Sequence, residues 1–124
     1  MSNSHRIVFE TPDLSTLNDH FTVVDMHFHS QHSDGADDVA CIAQRARELG
    51  IGVAMTDHNA IDGAVELDAY DDVLSIPGIE VTSREGAHVL VYFYEIDDLK
   101  AFYGDYVEPN MGPTLMSSIG LDVE

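Results

Sequence analysis

Two histidines spaced two apart, His27 and His29, end an apolar stretch at residues 21–28 whose β-branched and aromatic content predicts a buried strand. Side chains two apart on a strand point to one face, and two imidazoles on one face make a chelate for a divalent metal. Alone, the pair is equally a coincidence of seven histidines in 124 residues. Its company changes that. Asp34 follows inside Ser33-Asp34-Gly35, Asp57-His58 closes the next apolar run, Glu80 follows Pro77-Gly78-Ile79, and His88 lies on the run after that. Acidic and imidazole groups at four successive strand ends are costly to bury unless a cation sits among them. The set His27, His29, Asp34, His58, Glu80 and His88 therefore reads as a metal centre, against the alternative of polar strand ends without a metal. Mixed imidazole and carboxylate donors suit Zn²⁺, Mn²⁺ or Fe²⁺ better than Ca²⁺, which points to Mn²⁺ or Zn²⁺.

The elements that must hold these residues can be read from the periodicity. Residues 1–20 form a polar leader, with room for one short strand at 6–9. Val39, Ile42, Ala43, Ala46 and Leu49 recur at helical spacing, with Asp37 and Asp38 in the first turn and Gly50 just past the end. Residues 51–56 are almost wholly apolar, as in a strand buried on both faces of a parallel sheet. A weaker helix is expected over 60–71, a strand at 73–76, two strands at 79–83 and 87–94 joined across Arg84-Glu85-Gly86, and a last helix capped by Asp97-Asp98 and running to about residue 106. The order β-α-β-α-β-β-β-α makes this an α/β chain, and ligands in such folds gather beyond the carboxyl ends of the strands. Residues 107–124 show no clear period and read as a tail.

Composition narrows the partners. Twenty-three Asp and Glu against five Lys and Arg leave a net charge of −18, the reverse of what neutralising nucleic-acid phosphates or an anionic membrane requires. With 44% hydrophobic residues, the chain can still build a core. No apolar run is long enough for a membrane span, residues 1–10 have no signal-peptide pattern, and the single Cys41 permits no internal disulfide, so a cytoplasmic protein is expected. One lysine, Lys100, against fifteen aspartates is the balance of proteins that stay soluble in concentrated salt, and a halophilic source is expected.

VDMHFHSQHSDG, then TDHN, then IPGIEVTS followed by GAHVLVYFY, resembles the first three motifs of the PHP domain, the polymerase and histidinol phosphatase superfamily of metal-dependent phosphoesterases. The resemblance runs over about residues 21–106 and implies the N-terminal portion of a distorted seven-stranded (β/α)7 barrel. It implies that His27 and His29 bind a first metal, that Glu80 bridges two, that His88 binds the second, and that Asp34 with His58 binds a third. Members with Ser-Asp-Gly after the paired histidines, which the chain resembles most, include phosphatases and exonucleases acting on small nucleotides and short RNA. The expected substrate is thus a phosphorylated small molecule or short nucleotide, cleaved by a metal-activated water. Asp25 and Asp57 are expected to orient imidazoles, and Arg84 to be either a substrate-phosphate contact or a solvated turn residue.

Three metals at four donors each need about twelve contacts. Six side chains, with Glu80 counted twice, give seven. The family draws the rest from a downstream histidine and a late D-x-H motif, and no histidine follows His88 here. The chain accordingly reads as the first part of a PHP domain, with a homo-oligomer or a partner completing the barrel. A fragment that binds metal and serves as an interaction module is the alternative, and an amidohydrolase, which also opens on H-x-H, a lesser one. That class commonly bridges its metals with a carbamylated lysine, whereas Lys100 falls in an expected surface helix. His5, His20 and His32 read as exposed, Cys41 as a small buried residue, Met26 and Met55 as core, and Tyr92, Phe93, Tyr94, Phe102, Tyr103 and Tyr106 as packing.

Overall fold

The computed structural model describes residues 6–112. His5 and residues 113–124 of the expected tail lie outside them. The leader holds a helix rather than a strand: residues 6–9 are irregular, and α1 spans Leu14–His20. Asp13 starts this helix by accepting hydrogen bonds from the Thr16 amide at 3.3 Å and the Ser15 hydroxyl at 2.6 Å. Asn18 then ties α1 to the body through the Leu49 carbonyl at 2.8 Å.

Strand β1, Val24–Phe28, and strand β2, Gly52–Met55, pair in parallel, with helix α2, Val39–Leu49, as the crossover between them. Asp38 caps α2 by accepting from the Cys41 amide at 2.8 Å, and Gly50 closes it at φ 68°, a left-handed conformation that a side chain would strain. Val39, Ile42, Ala43 and Ala46 form the buried stripe of α2. Cys41 falls on the opposite face of this stripe and is exposed, contrary to expectation. Every residue of β2 is buried, as its apolar run predicts.

Beyond β2 the expected strand at 73–76 shrinks to one parallel bridge, Val53 to Ser75. A turn occupies the approach to it, and Pro77 has no N–H with which to extend the ladder. Helix α3 is shorter than its pattern suggested, Asp62–Asp68, without a side-chain cap. Strands β3, Gly78–Thr82, and β4, His88–Tyr92, form an antiparallel hairpin with Gly78 opposite Tyr92 and Thr82 opposite His88. Helix α4, Ile96–Phe102, follows and runs into a π-helical turn, Tyr103–Val107, and a 3-10 turn, Glu108–Asn110. Asp97 and Asp98 lie inside the first turn of α4 rather than capping it; the capping position belongs to Glu95.

Val39, Ile42, Val53, Met55, Leu67, Ile79, Leu99 and Val107 join α2, α3, α4, β2 and β3 in one core. Burial of each such aliphatic side chain contributes roughly 1.5–3 kcal/mol. Ile79 enters this core, so its neighbour Glu80 is turned to the opposite face of β3. The result is a mixed α/β arrangement whose described strands form two two-stranded sheets linked by parallel bridges. Two packing expectations fail: Met26 and Tyr94 are exposed. Tyr106 is largely exposed but lays its ring on Phe102, with centroids 5.7 Å apart. Met55 is buried as expected, and Phe93 packs on Phe102 with ring centroids 5.5 Å apart. No helix among the described residues is long and apolar enough to cross a membrane.

Candidate metal centre

The end of β1 and the loop after it, the end of β2, the middle of β3 and the start of β4 bring the six ligand candidates to one place. The ladder of β1 slips by one residue between Asp25 and Phe28, and His29 lies just beyond the strand. His27 and His29 nevertheless converge, each placing Nε2 on Glu80 Oε1, at 2.9 and 2.8 Å. The second strand is fastened to β3 past its end: the Glu80 amide donates to the Asp57 carbonyl at 3.1 Å and the Asn59 amide to the Glu80 carbonyl at 3.0 Å. This bridge sets His58 beside Glu80, with His58 Nε2 3.8 Å from Glu80 Oε1 and 3.3 Å from Asp34 Oδ2. From the hairpin, His88 brings Nδ1 to 3.4 Å from Glu80 Oε2.

Glu80 thus faces four imidazoles. Burial raises its proton affinity, but the hydrogen bonds from His27 and His29 and the charges of His58 and His27 outweigh it and hold Glu80 below the ordinary carboxyl value. Asp34 shows the same balance, burial opposed and exceeded by His29 and His58. His29 Nδ1 lies 2.5 Å from Asp34 Oδ1. A neutral imidazole has one ring lone pair, so if His29 ligates through Nε2, its Nδ1–H is held by Asp34, the carboxylate-on-histidine arrangement common around bound metals.

Three trios of donors each gather within 4.8 Å: His27, His29 and Glu80; His29, Asp34 and His58; His58, Glu80 and His88. Two donors bound tetrahedrally at about 2.1 Å lie roughly 3.4 Å apart, so contacts of 2.8–3.8 Å are close to the spacing that an ion needs. Four imidazoles and two carboxylates are also the donor chemistry of Zn²⁺, Mn²⁺ and Fe²⁺. The residues fit a divalent ion.

The two aspartates expected to orient imidazoles do not touch them. Asp25 Oδ1 accepts from the His27 backbone amide at 3.1 Å. Asp57 is buried and accepts from the Ser30 amide, the Ser30 hydroxyl and the Ser33 hydroxyl, each at 2.7 Å. Its acceptor oxygens are turned to the loop that carries Asp34, away from the rings. Arg84 is exposed on the turn between β3 and β4. His20 and His32 are exposed, and His32 Nε2 lies 3.6 Å from Glu66 Oε2.

Residues not singled out in the sequence do the orienting. Thr82 is buried, with its hydroxyl 2.7 Å from His58 Nδ1 and 3.0 Å from His88 Nδ1. A hydroxyl donates one hydrogen, so it can donate to one ring and accept from the other, which couples their tautomers. Thr82 is in turn held by Asn59, whose side-chain oxygen accepts from the Thr82 amide at 2.8 Å and whose amide nitrogen donates to the Thr82 carbonyl at 2.9 Å. Asn59 sits at φ 49°, a left-handed position that asparagine tolerates better than most residues. The Asn after Asp57-His58 was the available signal. The Tyr92 hydroxyl donates to the Met26 carbonyl, linking β4 to β1 beside the cluster.

The PHP domain family matches residues 25–112. Among solved structures, the chain is similar to a putative metal-dependent phosphoesterase from Bifidobacterium adolescentis, at 25% identity and TM-score 0.52, over 68% of this chain and 32% of that one. It is similar also to an amidohydrolase from Chromobacterium violaceum with bound sulfate and no metal, at 28% identity and TM-score 0.52, over 65% of this chain and 32% of that one. The chain spans about a third of the length of each. A search of curated proteins returns no match. With the match covering well over half its length and all six ligand candidates inside the matched span, the chain belongs to the PHP domain family.

Proposed function

We propose that this chain carries the metal centre of a phosphoesterase that hydrolyses a phosphate ester of a small molecule, nucleotide or short oligonucleotide. The observation that carries the reading is Glu80, one carboxylate within 2.8–3.8 Å of four imidazoles from three separate segments. His27, His29 and Glu80 would hold one ion, His88 with Glu80 a second, and Asp34 with His58 a third; Mn²⁺ or Zn²⁺ suits these donors, with Fe²⁺ also compatible. A divalent ion there supplies a Lewis acid for phosphoryl oxygens and lowers the pKa of water. The chain's own part is to hold the ligands. Thr82 sets the ring orientation of His58 and His88, Asp34 that of His29, and Asp57 fastens the loop between them. Arg84, exposed on the turn beyond β3, would be the candidate contact for a substrate phosphate, with a solvated turn residue as the alternative.

Hydrolysis of p-nitrophenyl phosphate and of nucleotides, with Mn²⁺ or Zn²⁺ added, is the test. Phosphate release that His27→Ala abolishes is expected. Metal uptake without turnover would favour the second reading, a metal-binding interaction module. The amidohydrolase reading has one neighbour's name behind it, but Lys100 lies exposed on α4. The exposed Met26, Leu74 and Tyr94 support a second copy or a partner that completes the barrel. The acidic composition supports a halophilic source and work in a salt-rich cytoplasm, and it makes bulk nucleic acid and membranes poor partners.

A further inference from the structure

Asp57 is 1% exposed, and its carboxylate contacts no imidazole, yet it accepts three hydrogen bonds at 2.7 Å from one loop. The loop's own bonds radiate from the same point. The Ser33 and Gly35 amides donate to the Ser30 carbonyl at 3.1 and 2.9 Å, and the His32 amide donates to the Ser30 hydroxyl at 3.1 Å. Asp34 lies between Ser33 and Gly35, so its position is set by a turn nailed to Asp57 at Ser30 and Ser33. The packing leaves no slack. A β-carbon at Gly35 would lie 2.1 Å from the His29 carbonyl oxygen, and one at Gly63 would lie 2.6 Å from Asp57 Oδ2. The loop is pressed against the backbone of His29 and Ser30 just past β1, and the carboxylate against α3.

We infer that Asp57 is a positioning residue for one pole of the cluster, the ion position formed by Asp34 and His58. His58 is its chain neighbour, and Asp34 is carried by the loop it clamps. His27, by contrast, is placed by β1, and Glu80 and His88 by the β3–β4 hairpin; Asp57 meets that pole through its backbone bridge to Glu80, which a side-chain change leaves in place, and through Ser30, the chain neighbour of His29. The inference rests on the metal-centre reading and refines it. Asp57 does not ligate or orient a ring; it fixes where the Asp34 carboxylate stands relative to His58 Nε2, now 3.3 Å away.

The test is Zn²⁺ and Mn²⁺ titration by calorimetry of wild type, Asp57→Asn, Asp34→Asn and His27→Ala, with far-UV circular dichroism to confirm the fold. Asp57→Asn retains the shape but introduces an amide N–H₂ toward serine donors. It is expected to weaken by about 10–100-fold the same ion class that Asp34→Asn weakens, while retaining the class that His27→Ala removes. Ser33→Ala, which deletes a single hydrogen bond from a half-buried side chain, guards against a folding failure in Asp57→Asn. It should weaken that same class by roughly 5-fold, the equivalent of one net hydrogen bond. A residue with a merely structural role would lower stability without singling out an ion class. Equal weakening of every class, or none, in Asp57→Asn and Ser33→Ala overturns the inference while leaving the metal centre standing. A wild type that takes up no metal removes both.

Discussion

His58 and Glu80 form the floor of the cluster, each with a side chain 7% exposed, while His27 and His88 stand at its rim, 53% and 46% exposed. The floor is saturated by the chain itself. His58 has Thr82 on one nitrogen and Asp34 and Glu80 near the other, and Glu80 has imidazoles on both oxygens. The rim residues can exchange their partners for solvent or an ion at little cost, because water solvates whatever they release. The floor therefore bears on both folding and metal, and the rim bears mainly on metal.

Glu80→Gln attacks the floor at its centre and should have the largest effect. The amide is nearly the same size but loses the charge and one acceptor, and two of the three donor trios lose their carboxylate. Zn²⁺ affinity at those positions is expected to fall by more than about 100-fold, read by calorimetric titration. A variant that still binds Zn²⁺ as wild type does would show that the four-imidazole arrangement around Glu80 is not the binding site.

Replacing one histidine from each level sharpens the contrast further. His58→Ala in metal-free protein leaves the Thr82 hydroxyl short of a partner inside the structure, and roughly 1–3 kcal/mol of stability should be lost in urea titration. His27→Ala, at the rim, should change stability by no more than about 0.5 kcal/mol while still removing metal. Equal destabilisation by the two would erase the distinction between floor and rim.

This contrast explains which parts of the molecule were readable from residues alone. The rim and floor ligands are legible because His27-x-His29 and Asp57-His58 fall where apolar runs stop; Glu80 is marked by the Pro77-Gly78 turn before it, although it stands in the middle of β3 rather than at a strand end. The βαβ unit was visible for the same reason, since Val39 to Leu49 keeps helical period and 51–56 is apolar throughout. The orienting shell was not. Thr82 is an ordinary strand residue by type, and only its register opposite His88 gives its hydroxyl two rings. Asp57 adjoins a ligand in sequence, but a backbone trace decides whether its carboxylate meets a ring or a serine loop. Helix α1 was missed because its start depends on the Asp13 cap rather than on an apolar stripe, and none of its residues is buried. Cys41 stands two residues after Val39, and the three- and four-residue spacing of the stripe turns it to the outer face of α2.

Acid gives the finest comparison of floor with rim, through Glu80 and the more exposed Asp34. Both carboxyls are held below their ordinary values of 4.5 and 3.8, against the opposing effect of burial, by the imidazoles around them. A lowered folded-state value means the unfolded chain binds the proton more readily, so each contribution to stability is fully present above the ordinary value. It is lost as pH falls below that value and through the folded one. For metal-free protein, the stability gap between wild type and Glu80→Gln should therefore be constant above pH 4.5 and narrow below it. The gap for Asp34→Asn should begin to narrow only below 3.8, and should be the smaller of the two because water screens that carboxylate more. Both effects are smaller than the histidine replacements, since burial cancels part of what the imidazoles contribute. Urea titrations stepped from pH 6 to pH 3 measure them. A Glu80→Gln gap that widens on acidification would mean that the folded state holds the Glu80 proton more tightly than the unfolded chain does, and that the floor is assembled around a neutral carboxyl.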